Sequence, residues 1–158
     1  MKKEDVKVKK LNNKGFSLVE IIIVIAIMAV LAGALAPQLI KYIDKSRKSA
    51  DVQTAQTIAL AVNTALAEED NYEVASNTTL SACYATVTPG PNKFQLEIKE
   101  ILGGTTSPEP KFRSSKYTDF FIEVNSLDKS FKVYALESGK TAGDTLDLLY
   151  PTVGDNFK

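Results

Sequence analysis

Apolar and polar positions divide the chain into unlike parts. From Ile21 to Ile40 there are 20 consecutive residues without a charge, IIIVIAIMAVLAGALAPQLI. About 20 apolar residues of helix cross a bilayer core of roughly 30 Å, and a helix in a soluble core seldom runs so far without a charged face. Gly33 and Pro37 interrupt the run near its outer end. Proline lacks the backbone N–H, and its ring clashes with the carbonyl four residues earlier, so a helix break is expected there, as a kink or a locally unwound stretch. After Lys48 the pattern turns amphipathic. Val52, Ala55, Ile58, Ala59, Val62, Ala65 and Leu66 recur at spacings of three and four, one face of a helix. Glu68, Glu69, Asp70 and Asn71 are expected to end it, since acids at a helix C-terminus oppose the macrodipole. Residues 16–70 would extend about 80 Å if helical throughout, at 1.5 Å per residue.

The remainder reads as a small mixed domain. Residues 71–90 are rich in turn formers and have no clear period. Asn92 is placed to cap a short helix, with Phe94, Ile98, Ile101 and Leu102 on one face and Gly103-Gly104 as its stop. Residues 105–116 hold Pro108 and Pro110 and read as a surface loop. Two strand patterns follow. Phe120, Ile122 and Val124 alternate with Phe121 and Glu123, and Phe131, Val133 and Ala135 alternate with Lys132 and Tyr134. The five residues between them, Asn125 to Lys129, suit a hairpin. A third strand is expected over residues 145–150. An antiparallel sheet packed on the helix face from Val52 to Leu66 would bury both stripes. The fold class is therefore α+β, a long N-terminal helix, transmembrane and then amphipathic, packed on a small C-terminal antiparallel sheet.

Composition narrows the chemistry. The 158 residues include no His and one Cys, Cys83. Without His there is no Ser-His or Cys-His nucleophile and no His-ligated metal site. One Cys makes no intrachain disulfide and no Cys-based zinc site, and Cys83 reads as a small buried hydrophobe. Calcium takes six to eight oxygens, and Asp144, Asp147 and Asp155 are too spread to indicate such a site. Asn77-Thr78-Thr79 matches a glycosylation triplet that says little at this length. No catalytic constellation, metal site or cofactor is expected. A net charge of zero gives no basic excess for nucleic acid.

That zero is a cancellation. Residues 1–15 hold six lysines (Lys2, Lys3, Lys7, Lys9, Lys10, Lys14) against Glu4 and Asp5, a net of +4. Residues 16–158 hold 13 basic and 17 acidic side chains, a net of −4. Six lysines precede the apolar run, while Lys41, Lys45, Arg47 and Lys48 follow it. The bias favours a cytoplasmic N-terminus. The run exceeds the 7–15 apolar residues of an ordinary secretory signal, although Ala32-Gly33-Ala34 and Ala34-Leu35-Ala36 offer small-x-small cleavage sites.

One acid stands out. Glu20 opens the apolar run, and no Lys or Arg follows it for twenty residues. An acidic residue in a membrane helix costs about 2.5–3.5 kcal/mol near the centre, less near an end, and is a functional candidate that needs a partner. The plainer alternative is a headgroup-level acid capping the first helical turn. The segment Lys14-Gly15-Phe16-Ser17-Leu18-Val19-Glu20, followed by the long apolar run, resembles the prepilin signal of type IV pilins and pseudopilins. The resemblance is specific over residues 14–37 and only architectural beyond them.

It implies that a membrane prepilin peptidase cuts between Gly15 and Phe16 and methylates the new N-terminus at Phe16. Glycine leaves the backbone open at such a site. It also implies local helix melting over residues 29–37 in an assembled fibre, around Gly33 and Pro37. Cleavage would create an α-amine at Phe16, largely protonated at neutral pH. Pairing it with Glu20 of a neighbouring subunit would satisfy both charges and set axial register in subunit assembly, since an unpaired buried charge costs about 3–5 kcal/mol. The lack of a second Cys departs from many Gram-negative pilins and leans toward the Gram-positive branch.

The expected organisation is a cleaved leader (residues 1–15), a transmembrane and fibre-core helix (16–40), an amphipathic helix (41–70) and a globular head (71–158). The expected function is a non-enzymatic structural subunit of a type IV pilus. Its partners would be neighbouring subunits as a homopolymer, the prepilin peptidase and N-methyltransferase, an inner-membrane assembly platform, and membrane lipid before assembly. The precursor would sit in the plasma membrane and the mature subunit in an extracellular filament. The alternatives are a pseudopilin of a type II secretion or DNA-uptake system, and a membrane-anchored or secreted binding or enzymatic domain. A 143-residue mature chain suits a main fibre subunit.

Overall fold

The computed structural model describes residues 15–86, 89–104, 109–125, 127–128, 130–141 and 143–158. The lysines of the expected leader, Pro108 of the expected loop, and Ser126 and Lys129 of the expected hairpin turn lie outside the described residues. The chain forms two compact units, residues 1–40 and 41–158.

In the first unit, helix α1 (Leu18–Leu66) begins and runs on without interruption. α1 is helical through both Gly33 and Pro37, so the single chain has no unwound stretch there. Proline removes one donor from the ladder, and the bonds on either side carry the helix across a single missing link. All described residues up to Ile40 are exposed, including Ile21, Ile22, Ile23, Val24, Ile25 and Leu31.

The second unit is the α+β head. The remaining part of α1 buries Ala55, Ile58, Ala59, Ala61, Val62 and Ala65. This is the stripe expected from the spacing, widened by Ala61. The helix stops at Leu66, short of the acids. Helix α2 (Glu69–Val74) then starts with Glu69 and Asp70 in its first turn. The acidic cluster thus opens a helix as well as following one, the end at which the macrodipole favours negative charge. The amphipathic helix expected over residues 41–70 is correspondingly shorter.

The segment expected to be irregular carries α2, a two-residue strand β1 (Thr78–Thr79) and one turn of helix α3 (Leu80–Cys83). Asn92 caps α4 (Lys93–Ile101) as expected. Its side chain accepts from the Gln95 N–H, and the Gln95 side chain accepts from the Asn92 N–H, a reciprocal capping box. Phe94 and Ile98 face inward from α4, while Ile101 stays exposed.

Strands β2 (Tyr117–Asn125), β3 (Ser130–Glu137) and β4 (Asp147–Tyr150) complete an antiparallel sheet in the order β1-β2-β3-β4. Phe120 pairs with Ala135, Ile122 with Val133 and Val124 with Phe131, so the two inward sets align. One cluster of buried side chains joins them to Ala55, Ile58 and Val62 of α1. Fully burying a residue such as Ile58, Phe94, Phe120 or Ile122 stabilises by about 1.5–3 kcal/mol. Phe121, expected on the opposite face, is buried as well, with its ring 6.3 Å from that of Tyr134. Cys83 is buried and free, as expected. Burial pushes its thiol up to about 12, which leaves it a poor nucleophile.

Two polar pins, Asp51 buried and Asp147 half-buried, hold the head together. Asp51 is fully buried on α1 and accepts the backbone N–H groups of Arg113 at 2.7 Å and Ser114 at 3.0 Å. It fastens the segment leading into β2 to the helix. Asp147 accepts from the Tyr117 hydroxyl at 2.6 Å and from Asn156 Nδ2 at 2.8 Å. Burial pushes the Asp147 carboxyl up, but these two hydrogen bonds, with the nearby lysines, outweigh it and hold the group below the usual range. Burial, then the bond to Asp147, keeps the Tyr117 phenol protonated beyond its ordinary range.

Asp51→Ala leaves two buried amides without an acceptor and is expected to lower head stability by about 2–5 kcal/mol. Thermal unfolding in detergent followed by near-ultraviolet circular dichroism measures it, with Asp51→Asn expected to lose less. The Tyr117–Asp147 pair contributes fully above the ordinary carboxylate value of about 4 and below the ordinary phenol value of about 10. Its contribution is lost as pH falls through the depressed carboxyl pKa or rises through the elevated phenol pKa. Urea midpoints against pH should show both limbs, and Tyr117→Phe should flatten the acid one.

Candidate functional site: the head of the apolar helix

The residues around the start of α1 form the site. Gly15 has nothing within 4 Å of where a Cβ would lie, so the backbone is open to an approaching enzyme. Phe16 follows with 85% of its surface exposed. Ser17 is the residue before the first helical position, and its carbonyl accepts the Ile21 N–H at 3.3 Å.

Glu20 sits in the first helical turn, and one carboxylate oxygen accepts the Ser17 backbone N–H at 2.8 Å. This is the carboxylate half of a capping box, in which an acid three residues into the helix takes an otherwise unsatisfied N–H. Ser17 was not singled out from the sequence. Its Ser-x-x-Glu spacing with Glu20 ahead of an apolar run is the signal that identifies it. The structure therefore brings Phe16, Ser17 and Glu20 together within one turn. Glu20 is exposed and bonded locally, and Phe16, Ile21, Ile23 and Val24 surround it with open apolar surface.

The carboxylate is within one residue of the peptide that the expected cleavage would convert into an amine. Its present partner is a neutral N–H, and an ammonium group offers a stronger, charge-assisted bond. Gly33 and Pro37 lie far along the same helix and take no part in this arrangement. Helix α1 is long and apolar enough to cross a membrane, and its apolar window is wholly exposed.

The aspartates near the C-terminus are spoken for by protein donors. Asp144 accepts from Thr141, Asp147 from Tyr117 and Asn156, and Asp155 from Lys158. Among the described residues no group of three or more Cys, Asp or Glu is arranged to hold a metal ion.

The family model for the prokaryotic N-terminal methylation motif matches residues 10–36. Comparison with curated proteins and with solved structures gave no match. The matched residues contain Gly15, Phe16, Glu20 and most of the uncharged run. With an apolar helix that begins at Leu18, inside the matched residues, and runs on beyond them, the segment fits a membrane-anchored precursor, and the chain carries a type IV pilin-like prepilin signal.

Proposed function

We propose that this chain is a structural subunit of a type IV pilus, with no catalytic activity of its own. A prepilin peptidase cuts the precursor between Gly15 and Phe16 and methylates Phe16, and an inner-membrane platform assembles the mature subunits into a surface filament. The observation that carries this reading is Glu20, an exposed carboxylate one helical turn from Phe16, at the head of a helix whose next twenty residues carry no charge.

Such a helix is stable only where its surface is covered. Lipid covers it in the precursor. In the filament the same surfaces of neighbouring subunits cover one another, with little hydrophobic gain because lipid tails are equally apolar. Packing, an external assembly machine and the Glu20–Phe16 charge pair supply the remaining drive. The pair forms only when a neighbour's amine lies level with Glu20, so it selects the axial offset. Forming it requires Glu20 to release the Ser17 N–H or to share its two oxygens between both donors.

Mass spectrometry of the mature protein should find an N-methylated Phe16 as its first residue. An intact Met1 or a cut after Ala36 would overturn the assignment. Glu20→Ala is expected to give normally trimmed, membrane-inserted subunits with filaments largely lost, the cost of an unpaired amine in an apolar interior being about 3–5 kcal/mol per subunit. Normal filaments from Glu20→Ala cells in electron micrographs would remove Glu20 from this role.

A further inference from the structure

Within residues 41–158 the helix α1 separates two opposite charges. Over residues 41–48, Lys41, Lys45, Arg47 and Lys48 stand against Asp44 alone, a net of +3. No ion pair reaches these four cations among the described residues. Arg47 and Lys48 form one wall of a cleft of about 260 Å³, with Lys116, Tyr117 and Asn156 among the residues opposite. At the far end of the helix, Glu68, Glu69, Asp70 and Glu73 give a net of −4 with no cation among residues 68–73. All four are exposed, and of them Asp70 makes an ion pair, with the exposed Lys93 at 3.0 Å. Lys45 and Leu66 are 21 residues apart on α1, so about 30 Å of helix separates the two ends.

One chain cannot bring these ends together. An antiparallel dimer would, but subunits inserted in one membrane share one orientation. Parallel copies displaced along the helix axis by about that length do bring the acidic end of one to the basic end of the next. A head-to-tail contact of this kind does not close on itself and propagates as an open helical filament. Anionic lipid headgroups also suit the basic end, but they bring no cation to the exposed Glu68, Glu69 and Glu73.

We propose that the cleft beside Arg47 and Lys48 receives the acidic α1–α2 corner, Glu68 to Glu73, of a second copy of this chain. The contact forms a longitudinal interface distinct from the Glu20 pair. It rests on the polymer reading above. Being exposed and charged, it contributes register and association rate more than bulk stability.

Charge swaps in intact cells test it. Arg47→Glu with Lys48→Glu, and separately Glu69→Lys with Glu73→Lys, should each lower the yield of sheared filaments by about tenfold or more through like-charge repulsion. Leader cleavage and membrane insertion should be unchanged. Combining all four substitutions should restore filaments to within about threefold of the parent, because the pairing is re-formed with signs exchanged.

As a second measurement, Arg47→Cys/Glu69→Cys filaments treated with a short bismaleimide should give a ladder of multimers, and either single variant only monomer. Cys83 is buried and does not compete. Undiminished filaments in both charge variants, a loss that the combination does not rescue, or the absence of a ladder overturns the interface. Loss at the insertion or cleavage step assigns the basic end to lipid headgroups instead. Parent cells that process the chain yet make no filament would refute the polymer reading itself, a result distinct from all of these.

Discussion

An uncharged helical surface of twenty residues cannot be left facing water. Between Ile21 and Ile40 the described chain offers it no cover of its own, for every side chain there is exposed. The surface therefore requires an apolar environment from outside, which is lipid or, under the proposed function, other copies of the same helix. Exchange between the two is nearly neutral in hydrophobic terms. That near neutrality gives the few polar groups along the helix influence out of proportion to their number, because small differences in pairing decide which state is favoured and at what offset.

Glu20 is the clearest case. In the single chain it is bonded to the Ser17 N–H, so the carboxylate does not enter an apolar environment wholly unsatisfied. A local cap is a modest interaction, typically about 1 kcal/mol, and is readily exchanged for a charge-assisted one. A residue that looks like an ordinary helix cap in one subunit is thus able to act as a pairing group between subunits. Under the proposed function the two readings of Glu20 suggested by the sequence become successive states and need not exclude each other.

The head solves a different problem. Its stretch of α1 must bury one face against a sheet whose strands come from much later in the chain. Apolar packing supplies most of the stabilisation, but it is non-directional. Asp51 and Asp147 supply direction. Each is an acid whose oxygens are both taken by donors from another part of the fold. The aromatic layer beside them, Phe112 stacked on Phe120 at 3.9 Å and Tyr117 against Phe157 at 4.9 Å, is held in the same region.

Periodic features were legible in the sequence. The uncharged run, the stripe from Val52 to Leu66, the Asn92 cap and the two long strands each rest on repeated spacing or on turn chemistry within a few residues, which local physics decides. The prepilin signal was legible for the same reason, since its residues are contiguous. Tertiary structure decided the rest. Residues 69–83 form α2, β1 and α3, and β1 exists because Thr78 and Thr79 find Ile122 and Phe121, more than forty positions away, as strand partners. The acidic cluster could end one helix or begin another, and the fold does both within three residues. Asp51 was not singled out from the sequence, because what makes it a pin is the arrival of the Arg113 and Ser114 amides from 62 and 63 residues along the chain. Spacing determines which face of an element is apolar, but only the folded chain determines what that face meets.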